Sequence, residues 1–453
     1  MTSPIAIANP LERKSSSSGP AFGGLVTVGV LIAGLVALTP FAFQWYGDNA
    51  YIGMALIAGV LTCLAAALAG RIEDRRALIF ILCLGVAFRG YALLFEPFLS
   101  SDVYRYIWDG TVQGAGINPY RFVPADPALA HLRDAAIYPN INRADYAVTI
   151  YPPVAQFFFF LVTRFGASTL VMRFALLGCE AMSVALMLLL LRRTTRPLTS
   201  IVAYAWHPLP IWEIANGGHV DALMVTLMLF GLWLSATERS LSGAMLIALA
   251  SLVKGLAAPT LAAVWRPWNW KIPLGVIIMV AICYLPYISV GWGVLGFLPN
   301  GYVREEGLVS GSNFWLLSIW RLVFGEGRFD VACYLVVAAA ILSAIALRAA
   351  FRRVRTVRST LLDAETLLLA ALLLLSPSYP WYFLIIVPFT AILGNAPAWA
   401  ASIGALVLTN ETETIAHMPA LLAKSILFGG VLLCWTLAIG FGRLRQSTVE
   451  AVT

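Results

Sequence analysis

Charge is scarce in this chain: of 453 residues only 12% are Asp, Glu, Lys or Arg, 60% are hydrophobic, and the mean hydropathy is +0.83. Soluble domains carry about 25% charged and about 45–50% apolar residues, so a water-soluble globular protein is excluded. Cysteine is sparse as well. The six thiols (Cys63, Cys83, Cys179, Cys283, Cys333 and Cys434) all fall inside apolar runs, where they act as small hydrophobes, and their spacing suggests neither a disulfide framework nor a metal site. No small-residue cleavage site follows the first apolar stretch, which begins at Phe22 and is too long for a signal-peptide core, so it reads as a retained first helix. No internal repeat is evident, and the one low-complexity tract, "SSSSG", lies in residues 1–21, predicted to be a disordered cytoplasmic segment. The net charge of +7 comes from basic clusters set between apolar segments. That pattern orients a membrane protein, and nucleic acid is not an expected partner.

What is present is a succession of apolar runs close to the roughly 20 residues a helix needs to cross hydrocarbon. A barrel would show short alternating segments instead, so the fold class is an all-α polytopic membrane protein with about 12–14 transmembrane helices, forming one domain over residues 22–440. The clusters "RIEDRR" (71–76), "RRTTR" (192–196), "RPWNWK" (266–271), "RAAFRRVRTVR" (348–358) and "GRLR" (442–445) belong in the cytoplasm by the positive-inside rule. All agree if the N-terminus and the 441–453 tail are inside. Two segments decide the parity. "YPPVAQFFFFLVTRFG" is short for a span and reads as a helix lying in the outer interface. Residues 241–267, interrupted by Lys254, Gly255 and Pro259, read as two short helices meeting near the outer face. The outer side then receives two long loops with short interfacial helices, 98–168 and 291–328. It also receives the "NGGH" turn at 216–219, the Lys254 turn, the "SPSYPW" turn and "NETETIAH" at 410–417.

The first outer loop opens with "SSDVYRYIWDGTVQGAGINPYRF" (100–122), a polar and aromatic stretch in an otherwise oily chain. Ser100 and Ser101 can cap a helix whose first turn contains Asp102. Asp102, Arg105 and Asp109 share its face, and that spacing permits two readings. One is an ion-pair network around Arg105; the other makes Asp102 a general base at the membrane surface. His219 and Asp221 share a helix face only if a helix begins between them, after Gly217 and Gly218. They read either as a water-satisfied helix start or as groups that hold a substrate. Lys254, in a helix break, is costly at depth without a partner, since an intramembrane charge costs about 2.5–3.5 kcal/mol on insertion scales. A phosphate would compensate it; the alternatives are snorkelling to the interface or pairing with an outer carboxylate. Arg304 in "GYVREEG" either competes for the phosphate or, the favoured reading, is neutralised by Glu305 and Glu306 in a solvated loop, and Tyr379, Trp381 and Tyr382 either stack on a sugar or belong to the interfacial aromatic belt.

Together, "SSDVYRYIWDG", "GINPYRF" and "TIYPPVAQ" resemble the first extracytoplasmic loop of GT-C fold membrane glycosyltransferases that use a polyprenyl-phosphate sugar. The likeness is greatest to the mannosyltransferases of bacterial lipomannan, of phosphatidylinositol mannosides and of eukaryotic glycolipid anchors. Asp102, Gly116, Pro119, Tyr120, Tyr151, Pro152 and Pro153 fill the places of that loop. "WHPLPIWEIANGGHVDALM", "ALASLVKGLAAP" and "SPSYPWYFLIIVP" continue the resemblance to about residue 390, with His207 where asparagine is expected. Some relatives carry D-x-D in the first loop; here it reads Ser-Asp-Val-Tyr, so no metal ligand set is implied, and a divalent cation stays an open option as the sole cofactor. The resemblance implies an inverting hexosyltransferase of the cell membrane with an extracytoplasmic active site. Its partners would be a polyprenyl-phosphate donor, with mannose favoured, a lipid or glycan acceptor, and the surrounding membrane lipids. Asp102 would be catalytic, and Arg105, Asp109, Tyr120, Tyr151, His219, Asp221, Lys254, Arg304, Tyr379, Trp381 and Tyr382 would bind substrate. A transporter or flippase of a lipid-linked saccharide is the alternative, given the broken helices and the deep lysine. A purely structural subunit leaves the one-sided gathering of Asp, His and Lys unexplained.

Overall fold

In hydrocarbon every backbone N–H and C=O must be satisfied within its own segment. The chain meets this with helices alone: the computed structural model describes residues 18–408 and 419–450, and no strand occurs among them. Residues 1–17, the 410–417 turn and residues 451–453 lie outside the described residues. Six helices are long and apolar enough to cross a membrane unaided: Gly19–Tyr46, Asp48–Ala69, Thr169–Leu191, Lys271–Leu295, Asp330–Ala350 and Ala420–Ala438. A seventh arises if Pro210–Asn216 and Asp221–Ala236, bent by 117° at the glycine pair, count as one span.

The helices Arg75–Ala92 and Val357–Leu375 have spanning length but carry charged groups, two of which, Arg89 and Asp363, they bury against an opposite charge. Arg89 meets Glu180 of Thr169–Leu191 at 2.7 Å, and Asp363 meets Arg352 at 2.7 Å. The remaining apolar segments form shorter helices, including Ser240–Ser251 and Gly255–Val264. These two are separated at 252–254, where the lysine and glycine suggested a break.

The basic loops gather at one end. Thr199 Oγ1 donates to the carbonyls of Ala69 (2.8 Å) and Ile72 (2.6 Å), and Arg75, Arg192 and Arg196 line a common cleft. Arg355 donates to the carbonyls of Ala263 (3.1 Å) and Trp265 (2.8 Å), which brings 348–358 onto 266–271. The segments assigned to the opposite side also converge. Asn216 accepts from the backbone N–H of Phe98 (3.3 Å) and donates to the carbonyl of Glu96 (3.1 Å), tying the glycine turn to the head of the first long loop.

Within that loop, Asp102–Gly114 packs on Pro153–Thr163, the short helix expected in the outer interface. Tyr106 stacks on Phe159 at 4.6 Å, and Arg105, Asp109, Gln113 and Gln156 form a polar network between the two helices. The last helix, Ala420–Glu450, continues past residue 440.

Candidate active site

The Ser-Ser-Asp stretch starts a helix as its residue types predict: Asp102 is the first residue of Asp102–Gly114, and Ser100 Oγ accepts its backbone N–H at 3.2 Å. A carboxylate in the first turn is favoured by the helix dipole. Asp102 is half-buried and borders a cavity of about 240 Å³ lined by Ser100, Ser101, Asn142, Arg143, Tyr146, Ile150, Tyr151, Lys254, Tyr302, Tyr379, Trp381 and Tyr382. Five of the expected site residues besides Asp102 therefore meet it there, drawn from three other parts of the chain. Neutral groups hold its carboxylate: Asn142 Nδ2 donates to Oδ1 at 2.9 Å and Tyr151 Oη donates to Oδ2 at 3.2 Å. Tyr120 stands behind it, donating its hydroxyl to the Tyr151 carbonyl at 2.7 Å.

Arg105 does not bridge the two aspartates. It pairs with Asp109 alone at 2.9 Å, donates to the Ala147 carbonyl at 3.1 Å, and is buried away from the cavity. Asp109 also accepts from Gln156 Nε2 at 2.9 Å, so Arg105 and Asp109 fasten the helices Asp102–Gly114 and Pro153–Thr163 together.

The helix Asp221–Ala236 begins directly after the Gly217-Gly218 turn, where Gly218 takes φ +68°. That start places His219 and Asp221 beneath the cavity. His219 Nδ1 lies 2.9 Å from the Glu213 carbonyl and 3.1 Å from Glu213 Oε2. The carbonyl has the better hydrogen-bond geometry, which leaves both Glu213 carboxylate oxygens without a well-formed bond. The His219 imidazole stacks on Trp381 at 4.3 Å, and Tyr379 stacks on Trp381 at 4.5 Å with rings 5° from parallel. Trp381 is thus stacked on by two rings, and Tyr379 and Tyr382 line the cavity beside it.

Two ion pairs flank the cavity, and they differ in kind. Lys254 Nζ lies 2.5 Å from Asp221 Oδ2 and over the Tyr382 ring at 5.0 Å, with 13% of the lysine side chain and none of the aspartate exposed. The carboxylate partner is thus already in place, and Lys254 is not the unpaired cation that its position in a helix break suggests. Removing one member of so buried a pair costs about 3–5 kcal/mol. Arg143 Nε meets Glu305 Oε2 at 2.6 Å, with 25% and 31% of the side chains exposed. An exposed pair of this type contributes about 0.2–1 kcal/mol. Burial pulls the Arg143 guanidinium down from its ordinary pKa, but the hydrogen bond and charge of Glu305 more than offset this and hold it above that value. Arg304, the cation expected in this loop, is exposed and outside the cavity lining; its neighbour Glu305 is the residue that engages the site. Among the described residues no three His, Cys, Asp or Glu side chains gather where one ion could join them.

Sequence reasoning missed Asn142, Arg143, Tyr302 and Glu213. Tyr302 donates to or accepts from the Tyr382 hydroxyl at 2.5 Å. Only Glu213 had a signal, as a carboxylate inside an apolar run. Asn142 and Arg143 lie in a turn, and Tyr302 ends the short helix Leu298–Tyr302, segments whose placement no local pattern dictates.

Alpha-(1->6)-mannopyranosyltransferase A of Mycobacterium tuberculosis (strain ATCC 25618 / H37Rv) is 32% identical to this chain over 178 residues, which is 38% of this chain and 34% of that protein. The match therefore spans about a third of the relative's length. No solved structure matches the chain. A family model described as "Alpha-(1->6)-mannopyranosyltransferase, N-terminal domain" matches residues 24–269. That region contains Asp102, Asn142, Arg143, Tyr151, His219, Asp221 and Lys254, while Tyr302, Tyr379, Trp381 and Tyr382 lie beyond it. As the matched region is more than half of its length, the chain belongs to the alpha-(1->6)-mannopyranosyltransferase family.

Proposed function

We propose that this protein transfers a mannosyl group from a polyprenyl phosphate to a hydroxyl of a lipid or glycan acceptor, at the extracytoplasmic face of the membrane. Membership of a mannosyltransferase family supports the sugar and the reaction class. The observation that carries the mechanism is the Asp102 carboxylate, half-buried at a cavity wall and oriented by two neutral donors, with no cation bonded to it. The acceptor hydroxyl oxygen forms a bond to the anomeric carbon while Asp102 takes its proton. The bond from that carbon to the phosphate oxygen breaks, and the electron pair leaves with the phosphate. Attack from the face opposite the leaving group inverts the anomeric centre. Tyr379 and Tyr382 offer ring faces to the sugar, and the Asp221–Lys254 pair braces the floor beneath it.

A donor anchored by a prenyl tail suits a cavity sited where apolar helices meet interfacial ones. The test is a radiolabel assay of purified protein with a panel of polyprenyl-phosphate sugars and, in parallel, a nucleotide sugar. Transfer from polyprenyl-phosphate mannose with inverted product is expected. Transfer from the nucleotide sugar alone overturns the donor assignment.

A further inference from the structure

We infer that Arg143 is the receptor for the donor's phosphate and that Glu305 is a displaceable partner that keeps the guanidinium in place until the phosphate arrives. The inference rests on the lipid-phosphate donor proposed above and assigns a role to a residue outside the expected site. Any anion entering the cavity needs a cation whose present partner can leave. The partner of Lys254, Asp221, is fully enclosed, so a phosphate drawn to the lysine would also meet a carboxylate that has nowhere to go. Glu305 can swing into water with little penalty, because the Arg143–Glu305 pair is already partly solvated.

Placement points the same way. Arg143 follows Asn142, the residue that donates to Asp102, so a single turn fixes both the cation and a ligand of the base. That turn has a conformational cost: Arg143 adopts φ +56°, a left-handed conformation that a long side chain rarely takes. It is held by the N–H groups of Ala147 (3.1 Å) and Tyr146 (3.4 Å), which donate to the Arg143 carbonyl. Strain of this kind persists where the surroundings enforce it, and it clusters at ligand-binding positions. The side chain also has the right chemistry, since a guanidinium can give two parallel N–H bonds to one phosphate, which an ammonium cannot.

The probe is a short polyprenyl phosphate without a sugar, with the uncharged polyprenol as control, and binding to purified protein is measured by thermophoresis in detergent. Arg143→Gln is expected to weaken binding of the phosphate about 10- to 100-fold, the loss of charge-assisted hydrogen bonds. Glu305→Gln is expected to tighten it about two- to fivefold by releasing the competitor. Polyprenol binding should not respond to either change. If Arg143→Gln does not fold, Arg143→Lys should fold and show an intermediate loss. Wild-type binding left unchanged by both Arg143 variants overturns this inference and leaves the donor reading intact, as does an equal loss of polyprenol binding. Failure of the wild-type protein to bind the phosphate removes the donor reading and this inference with it.

Discussion

Asp102 and Asp109 stand seven residues apart on one helix and are held in different ways. Asp109 is 1% exposed and closed in by Arg105 and Gln156, whereas Asp102 faces a cavity and meets only neutral donors. The paired aspartate should therefore matter to stability and the neutrally held one to rate. Asp102→Asn, close in shape and able to occupy the same first turn, should cut turnover by about 10² to 10⁴ while Tm and donor binding stay near wild type. Asp109→Asn leaves the Arg105 charge buried without its counter-ion. It should destabilise the protein by about 3–5 kcal/mol, seen as a lower Tm, with a much smaller effect on turnover at permissive temperature. Turnover of Asp102→Asn within about threefold of wild type, far short of that range, would move the base to Asp221 or end the assignment. Both aspartates were legible from the sequence because the i, i+4 spacing to Arg105 and the position after a span are local facts. Arg143 was not: its place depends on a left-handed turn and on Glu305, 162 residues further along the chain.

At the scale of elements, the proposed base is only as well placed as the helix that carries it. Asp102–Gly114 lies so close to Pro153–Thr163 that a Cβ built on Gly110 would stand 2.4 Å from the Phe159 carbonyl oxygen and 2.7 Å from Thr163 Cγ2. The first of these contacts is backbone and cannot rotate aside. Gly110→Ala should push the two helices apart, cost about 1–3 kcal/mol, and reduce turnover because Asp102 shifts with its helix. Gly90→Ala provides the control, since nothing lies within 4 Å of its added methyl and alanine favours a helix. Thermal melts and rates of the two variants should separate clearly, and wild-type values for Gly110→Ala would show that the helix contact does not set the site. Breaks and starts were readable where glycine, proline or a lone charge interrupts an apolar run, as at 252–254 and before Asp221. The pairing of these two helices was not readable, because close approach depends on a glycine in one helix meeting the backbone of the other.

For the whole molecule, one error in the parity of spans would turn half the protein over, and the structure constrains that parity without any membrane present. The loops at 70–76 and 192–199 share a cleft, 348–358 packs on 266–271, and the charge of Arg358 acts on Arg196, so the four strongest basic segments form one end. The residues lining the Asp102 cavity come from the head and foot of the first long loop, the Lys254 break, the second long loop and the 379–382 turn, and these meet one another instead. Reading 153–163 or 241–267 as a single full crossing would scatter both groups. The rule that Lys and Arg stay inside would make the basic end cytoplasmic, and on the function proposed above the cavity would then open on the outer surface, away from nucleotide sugars. The prediction is made for a chain whose six native cysteines are replaced by alanine and single cysteines are returned at exposed sites. Cysteines at Ala135 and Ser310 should react with an impermeant maleimide in intact cells, and cysteines at Glu73, Thr195 and Val354 should react only after the membrane is opened. Labelling of the second group from outside would invert the protein and place Asp102 in the cytoplasm, where the proposed donor would have to be presented from the opposite leaflet. Mixed labelling within either group would break the parity itself, and with it the inference that the cavity residues share one side of the bilayer.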